Sequence, residues 1–125
     1  MSMTDRLSAV LTELRQFVKE RDWEQFHDPK NLAMAVASEA GELLAEYRWV
    51  ANTEADSHSM ADGCRQRIAH EIADVAIALT LLADRIGLDL IDVMKEKIVV
   101  NGQKYPAARS RGRPDLSSYP NFGAK

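Results

Sequence analysis

The chain has few of the features that mark secreted, membrane-bound or nucleic-acid-binding proteins. Its 125 residues include one cysteine, Cys64, so no disulfide can form within the chain, as is typical of proteins in a reducing compartment. It contains no apolar signal core and no apolar run of membrane-spanning length. The net charge of −3 provides no basic field that would attract a nucleic acid. These absences predict a cytoplasmic protein that binds neither a membrane nor a nucleic acid polymer.

Helical periodicity dominates what the sequence does contain. Hydrophobic residues make up 46% and charged residues 28% of the chain, a balance typical of one globular domain. Apolar residues recur at i, i+3, i+4 and i+7, which is typical of one-sided helices, and no strand-like alternation interrupts them. The pattern predicts an all-α fold, a four-helix bundle-like arrangement, with helices over about residues 5–20, 29–49, 64–86 and 89–101.

Local signals set the expected ends of these helices. Thr4 is a candidate N-cap for the first helix, Pro29 suits the start of the second, and Gly87 suits the end of the third. Residues 51–63 are polar, small and non-periodic, so we expect a loop there. We predict one domain over residues 1–107, followed by an irregular C-terminal tail over residues 108–125.

Two acidic pairs interrupt the apolar faces of the second and third predicted helices. Glu39 and Glu42 form one pair, and Glu71 and Asp74 form the other. Residues three apart share a helix face, so each pair can direct two carboxylates at one point. Because carboxylates on apolar faces repel one another, a divalent cation between them is the simplest way to neutralise their charge. The alternative is that these acids lie at the edge of each stripe and are solvated.

The ligand types restrict which metal would bind. An all-oxygen set favours a hard cation such as Mg²⁺ or Mn²⁺. Di-iron helical bundles use a Glu-x-x-His motif, and here His70 precedes Glu71 and therefore faces about 100° away from it. Zinc would require Cys or His ligands, and Cys64 has no companion at ligand spacing. The pattern therefore predicts a magnesium site that also binds substrate phosphates.

Other residues suit a phosphorylated substrate less specifically. Lys97, Asn101 and Lys104 would share a face of the last predicted helix and its continuation and could hold phosphates, although cations near a helix C-terminus have the same spacing without any ligand. Trp23 and Trp49 flank the second helix and could stack on a nucleobase, although tryptophans more often serve as core or interface residues.

These motifs together resemble a known family, the MazG-like all-α nucleoside triphosphate pyrophosphohydrolases. Within that family the sequence is most similar to the branch that hydrolyses dCTP. The similarity covers about residues 5–107. It is carried by Glu20-Arg-Asp-Trp-Glu-Gln-Phe-His27, Asn31-Leu32, Glu39-Ala-Gly-Glu42-Leu43, Trp49, Glu71-Ile-Ala-Asp74-Val75, Lys97, Asn101 and Gln103-Lys-Tyr-Pro106. The acidic pairs mark the superfamily, and the Trp23–His27 stretch with Trp49 marks the dCTP branch.

The resemblance implies an enzyme that uses Mg²⁺ to split a nucleoside triphosphate into the monophosphate and pyrophosphate. It implies that Glu39, Glu42, Glu71 and Asp74 are the metal ligands and catalytic residues, and one of them, Glu39 or Glu42, would orient the attacking water. It further implies a homotetramer built from dimers, in which each pocket draws on more than one subunit. The residues implied to bind the nucleotide are Trp23, Glu24, Gln25, Phe26, His27, Trp49, Lys97 and Asn101.

Two positions depart from the dCTP-type pattern. Leu14 stands where those relatives have a histidine, and Ala78 stands where they have a tyrosine, so neither side chain can hydrogen-bond a nucleotide. The metal site is unaffected, but the choice of base is open and the pocket at Ala78 should be roomier. We therefore expect hydrolysis of dCTP or a modified relative. The alternatives are another nucleotide, such as phosphoribosyl-ATP, or a non-catalytic helical interaction module.

Overall fold

The computed structural model describes residues 2–113, and it is helical wherever the backbone in that range is regular. No strand occurs among these residues, which confirms the all-α class. Two 3₁₀ turns cover Glu24–Phe26 and Asn52–Glu54. The α-helices are α1 Met3–Glu20, α2 Pro29–Ala45, α3 Ala55–Met60, α4 Cys64–Arg85, α5 Leu90–Lys104 and α6 Ala107–Ser110. None of them is both long enough and apolar enough to cross a lipid bilayer.

The chain divides into two compact units, one ending at Leu90 and the other beginning at Ile91. In the first unit, α2 packs along α4 as the principal helix pair, and α1 and α3 also contact α4. Its buried apolar residues come from three helices: Val18, Leu32, Ile68, Ala78 and Ala83. The second unit contains α6 and all of α5 except its first residue. The candidate acids therefore belong to the first unit, and Lys97 and Asn101 belong to the second.

The first helix is capped two residues earlier than the sequence predicted. Ser2, and not Thr4, is the N-cap, because the Ser2 hydroxyl accepts a hydrogen bond from the backbone N–H of Asp5 at 3.1 Å. The Asp5 carboxylate in turn accepts from the Ser2 backbone N–H at 3.1 Å, which completes a capping box. Thr4 thus lies inside the first turn of α1, and its prediction as the cap was wrong.

The predicted loop over residues 51–63 was also wrong, because it contains α3. His58 Nε2 lies 2.9 Å from the backbone oxygen of Glu46, and the Tyr47 hydroxyl lies 2.6 Å from Ser59 Oγ. These contacts hold the short helix against the end of α2, which stops at Ala45 and not near residue 49. Tertiary contacts of this kind leave no periodic signal in so short a segment.

The ends of the later helices differ less from prediction. Helix α4 ends where Gly87 adopts a positive φ of 73°, and the Leu88 N–H bonds the Ala83 oxygen at 2.9 Å, as in a Schellman motif. Helix α5 continues to Lys104, beyond the predicted residue 101. The predicted tail begins with the single turn of α6, and its residues 114–125 lie outside the described range.

Candidate functional site

The turn after α1 reverses the direction of the chain, so that Trp23 lies against the end of α1. Asp22 adopts a φ of 54°, and the N–H groups of Asp22 and Trp23 bond the oxygens of Lys19 and Val18, both at 3.1 Å. This is the Schellman pattern with Asp in the left-handed position that Gly usually occupies. Trp23 then meets Phe17 edge to face, with ring centroids 5.8 Å apart. The turn at the C-terminus of α1 therefore holds the Trp23 ring beside the helix.

A second capped terminus positions α2. The Asp28 carboxylate accepts from the Asn31 backbone N–H at 2.9 Å, and Pro29 occupies the first turn of the helix. The Asn31 side-chain amide donates to the Phe26 oxygen at 3.0 Å, which ties the helix start to the preceding 3₁₀ turn. These local bonds fix His27 between Trp23 and α2, and the His27 ring centroid lies 6.4 Å from that of Trp23.

Three of the four predicted acids converge between α2 and α4. Glu39, Glu71 and Asp74 each offer a carboxylate oxygen, and these oxygens lie within 4.8 Å of one another. Two ligands that each lie about 2.1 Å from one Mg²⁺ are at most about 4.2 Å apart, so small side-chain rotations would complete such a site. The donor set contains only carboxylate oxygens, which suits Mg²⁺ or Mn²⁺. The residues present therefore fit a hard divalent cation.

Electrostatics at this cluster extend beyond the three converging acids. Partial burial raises the pKa of Glu71, and the neighbouring carboxylates of Asp74, Glu42, Glu39 and Glu46 raise it further, in that order. Glu42 therefore acts on Glu71 although it lies outside the group of three and is exposed. Burial and the neighbouring carboxylates both disfavour the ionised form of Glu71, and a bound cation would offset both effects.

Glu46 is a fifth acid that the sequence-based site did not include. It lies seven positions after Glu39, a spacing that places both on one helix face and could have indicated it. The Glu46 carboxylate is 19% exposed and accepts from Arg67 Nε at 3.4 Å, one helical turn before Glu71 on α4. Its charge is thus partly balanced within the protein, unlike a carboxylate that only a metal could neutralise.

A cavity of about 580 Å³ joins these acids to the aromatic turn. Trp23 and His27 line it together with Glu39 and Asp74. Phe17, Val18, Leu32, Ile77 and Leu81 add apolar surface to the same wall. A cavity with an aromatic ring, apolar walls and a carboxylate group can accept a molecule that is partly planar and apolar and partly phosphorylated.

The two positions that depart from the dCTP-type pattern both line this cavity. Leu14 comes from α1 and Ala78 from α4, and the Ala78 side chain is buried. Neither adds a polar group, so hydrogen bonds to a base or sugar would have to come from other side chains or from the backbone. This places the sequence difference directly on the wall of the candidate nucleotide pocket.

The remaining predicted substrate residues are more dispersed. Glu24 lines a neighbouring cavity of about 430 Å³, which shares Val18, His27, Leu32 and Leu81 with the first. Gln25 donates to the carboxylate of Asp22 at 3.0 Å, and Phe26 is exposed. Trp49 is 87% exposed and lies outside both cavities. Lys97 and Asn101 are exposed on α5, in the second unit.

Comparisons with known proteins give matches over most of this chain. A model described as the MazG-like family matches residues 34–114, which include all four predicted acids. The mouse protein named dCTP pyrophosphatase 1 is 40% identical over 97 residues, and the human protein of that name is 39% identical over 100 residues. These matches cover 78% of this chain, which spans only 57% of the mouse protein and 59% of the human one.

A solved structure supports the fold. The crystal structure of a pyrophosphatase from Archaeoglobus fulgidus superposes on this chain with a TM-score of 0.75 at 33% sequence identity. The match covers 81% of this chain and 93% of the archaeal one. The similarity in both sequence and fold therefore extends over most of the chain.

Proposed function

Because this chain belongs to the MazG-like family, we propose that it is a nucleoside triphosphate pyrophosphohydrolase, which releases a nucleoside monophosphate and pyrophosphate. The observation that carries the proposal is the cavity of about 580 Å³, lined by Trp23 and His27 and also by Glu39 and Asp74. A nucleotide has the same division into an aromatic part and a polyanionic part. The names of the mouse, human and archaeal relatives support the same reaction.

Glu39, Glu71 and Asp74 would hold Mg²⁺ or Mn²⁺, and Glu42 would extend this carboxylate set from the exposed side. When bound, such a cation neutralises charge on the triphosphate and on the departing pyrophosphate. Glu39 or Glu42 would orient the attacking water and accept its proton, because both project from α2 beside the acids of α4. Mg²⁺ is the expected ion, since the donor set is entirely oxygen.

The aromatic and cationic residues would bind the nucleotide itself. Trp23 would stack on the base, and base–aromatic stacking contributes about 1–3 kcal/mol. His27, at 6.4 Å between ring centroids from Trp23, would contact the same part of the nucleotide. Lys97 and Asn101 would contact phosphates, and Glu24, Gln25 and Phe26 would support the turn that presents Trp23.

We propose dCTP or a modified dCTP as the substrate, by analogy with the names of the mouse and human relatives. Leu14 and Ala78 favour a broader choice, because they leave the cavity wall apolar and make it roomier at α4. Another nucleoside triphosphate, or a related pyrophosphate-linked nucleotide such as phosphoribosyl-ATP, is therefore the alternative substrate class. A role in cleansing or balancing the nucleotide pool of the cytoplasm would follow from either.

We further propose that the helices assemble as a homotetramer, a dimer of dimers, with each subunit contributing a four-helix bundle-like core. Large apolar side chains remain exposed on several helices, among them Met34 and Leu44 on α2, Ile72 on α4, and Ile98 and Val99 on α5. Exposed apolar patches of this kind commonly mark association surfaces. Trp49 would then reach the pocket of a neighbouring subunit.

Pyrophosphate release from dCTP, dUTP, dTTP and dATP at millimolar Mg²⁺ tests the proposed reaction. We expect turnover of at least one of them, highest with dCTP, and loss of turnover when the metal is chelated. Glu39→Gln should lower kcat by about a hundredfold or more, because a metal ligand stabilises the transition state by several kcal/mol. Glu54→Gln, on an exposed 3₁₀ turn, is the matched control and should retain full activity.

The results separate three cases. Activity with dCTP that Glu39→Gln abolishes supports the full proposal, whereas activity with a different nucleotide supports the reaction and corrects the substrate. Wild-type protein that hydrolyses none of the four triphosphates, and also fails with phosphoribosyl-ATP, would contradict the enzyme assignment and favour a helical interaction module.

A further inference from the structure

An ion pair joins α1 to α4 outside the acidic cluster. Arg15 Nε donates to Asp84 Oδ2 at 3.0 Å, and Arg15 Nη2 donates to Asp84 Oδ1 at 2.5 Å. The two residues are 69 positions apart in the chain. Two parallel N–H···O bonds fix the plane of the guanidinium relative to the carboxylate, so this pair restricts rotation as well as distance. The hydrogen bonds from Arg15 also lower the pKa of Asp84.

The pair stands directly behind the wall of the proposed nucleotide cavity. Leu14, the residue before Arg15, lines that cavity, and so does Leu81, one turn before Asp84. Because adjacent helix positions point about 100° apart, Arg15 faces the neighbouring cavity of about 430 Å³ while Leu14 faces the first. Val18 and Leu81 line both cavities and form the partition between them.

Helix α1 needs such a constraint more than α2 does. Helix α1 contacts α4 more sparsely than α2 does, so fewer side chains hold it in place. Small displacements of α1 would move Leu14, Phe17 and Val18 relative to Ile77 and Ala78, and this would change the width of the cavity. Because neither Leu14 nor Ala78 has a polar group, the fit of a base depends more on the distance between α1 and α4.

We infer that Arg15 and Asp84 are positioning residues that hold α1 at a fixed distance from α4 and thereby set the width of the cavity that receives the nucleotide. The nucleotide part of this inference rests on the proposed function, but the effect on cavity width does not. Arg15 is 59% exposed, so the pair contributes little to global stability, and its effect is on geometry.

Trp23 provides a readout of the cavity that needs no substrate. The chain has two tryptophans, so a Trp49→Phe background leaves Trp23 as the only indole. In that background, Arg15→Ala should increase acrylamide quenching of Trp23, because a wider cavity exposes more of an indole ring that is only partly exposed in the wild type. The charge swap, Arg15→Asp with Asp84→Arg, should return quenching toward the wild-type value. Lys19→Ala, on the same helix and lining the same second cavity, is the matched control and should change nothing.

Kinetics then test the consequence for the nucleotide. Arg15→Ala should raise KM about fivefold to tenfold with kcat within about twofold, since a misplaced wall weakens binding more than chemistry. Asp84→Asn keeps the shape of the side chain and should give the same shift if Arg15→Ala fails to fold. The swap should recover most of the KM change, which loss of one structural contact would not predict.

Unchanged quenching and unchanged KM in both single variants would overturn the inference. A fall in kcat with KM constant would also overturn it, because the pair would then act on the reacting centre. If wild-type protein hydrolyses no triphosphate, the proposed function fails, whereas the quenching series still decides whether the pair sets the cavity width.

Discussion

Glu71 is the acid of the candidate site whose pKa is raised by its surroundings. Partial burial and four neighbouring carboxylates all act in the same direction on its pKa, which lies above the ordinary value for a glutamate. A carboxyl whose pKa is higher in the folded than in the unfolded chain binds protons more strongly when folded. The metal-free protein should therefore lose stability as pH rises through the interval between those two pKa values.

Adding Mg²⁺ should reverse the order of stability between wild type and the variant Glu71→Gln. Without divalent cations at neutral pH, Glu71→Gln should unfold at a higher temperature than wild type, because it removes a carboxylate from the repelling group. With Mg²⁺, wild type should gain stability, by about 2.7 kcal/mol at a hundredfold excess over Kd, and the variant should gain little. Thermal unfolding with and without EDTA measures both effects.

Glu13→Gln is the matched control for this experiment, because Glu13 lines the same cavity but lies outside the group of converging acids. It should leave the response to Mg²⁺ as in wild type. An equal response to Mg²⁺ in wild type and Glu71→Gln would contradict the assignment of Glu71 as a ligand.

How much of the site could be predicted from sequence is visible at these same residues. The i, i+3 spacing indicated that each pair of acids lies on one helix face, because helix geometry alone determines it. It could not indicate that Glu42 would lie outside the group formed by Glu39, Glu71 and Asp74, since that depends on how α2 packs on α4. The contact made by Glu46 also depends on tertiary packing, because its partner Arg67 comes from α4.

At the scale of the element, the turn after α1 links local backbone geometry to the candidate pocket. Asp22 holds a φ of 54°, a conformation that costs an ordinary side chain about 1–2 kcal/mol and that Asp tolerates better than most. Its carboxylate also accepts a hydrogen bond from Gln25 at 3.0 Å, which steadies the turn. Asp22 therefore helps to set the direction in which Trp23 leaves α1.

Asp22→Val should lower the free energy of unfolding by about 1–2 kcal/mol, because a β-branched residue at positive φ is strained. It should also raise KM for the nucleotide, since Trp23 would leave its position beside Phe17. Asp22→Gly is the matched control, because glycine adopts positive φ without strain, and it should keep the KM of wild type. Urea denaturation and steady-state kinetics measure the two effects, and a Val variant with unchanged KM would show that the turn does not position Trp23.

The helices themselves were largely predictable, and the exceptions share one physical cause. Long one-sided patterns indicated α1, α2, α4 and α5 because apolar residues recur at helical spacing several times along each segment. Helix α3 has only six residues and depends on Tyr47 and on the backbone of Glu46, so no local pattern announced it. The cap at Ser2 was missed because Thr4 is equally suitable by residue type, and only the hydrogen-bond geometry distinguishes them.

For the molecule as a whole, Trp49 raises the question of how many chains build one pocket. Its side chain is 87% exposed, whereas Trp23 is 44% exposed and lines a cavity with Glu39 and Asp74 of the same chain. An aromatic residue this exposed gains little from its own subunit. The proposed tetramer would give it a place, because symmetric association brings surfaces of one chain to sites of another.

Subunit complementation distinguishes a shared pocket from a pocket built by one chain. Trp49→Ala and Glu71→Gln should each have low activity alone, and light scattering should give both a mass of about 56 kDa, four times the 14.0 kDa chain. If Trp49 serves a neighbouring subunit, mixing unfolded variants and refolding them together should restore about a quarter of wild-type turnover, since half of the randomly formed dimers are mixed and each mixed dimer has one intact pocket.

Trp23→Ala mixed with Glu71→Gln is the matched control and should restore nothing, because Trp23 lines its own chain's cavity beside the acids. Recovery no greater than the sum of the two separate variants would mean that Trp49 does not complete a neighbour's pocket, and a mass of about 14 kDa would exclude the proposed assembly itself.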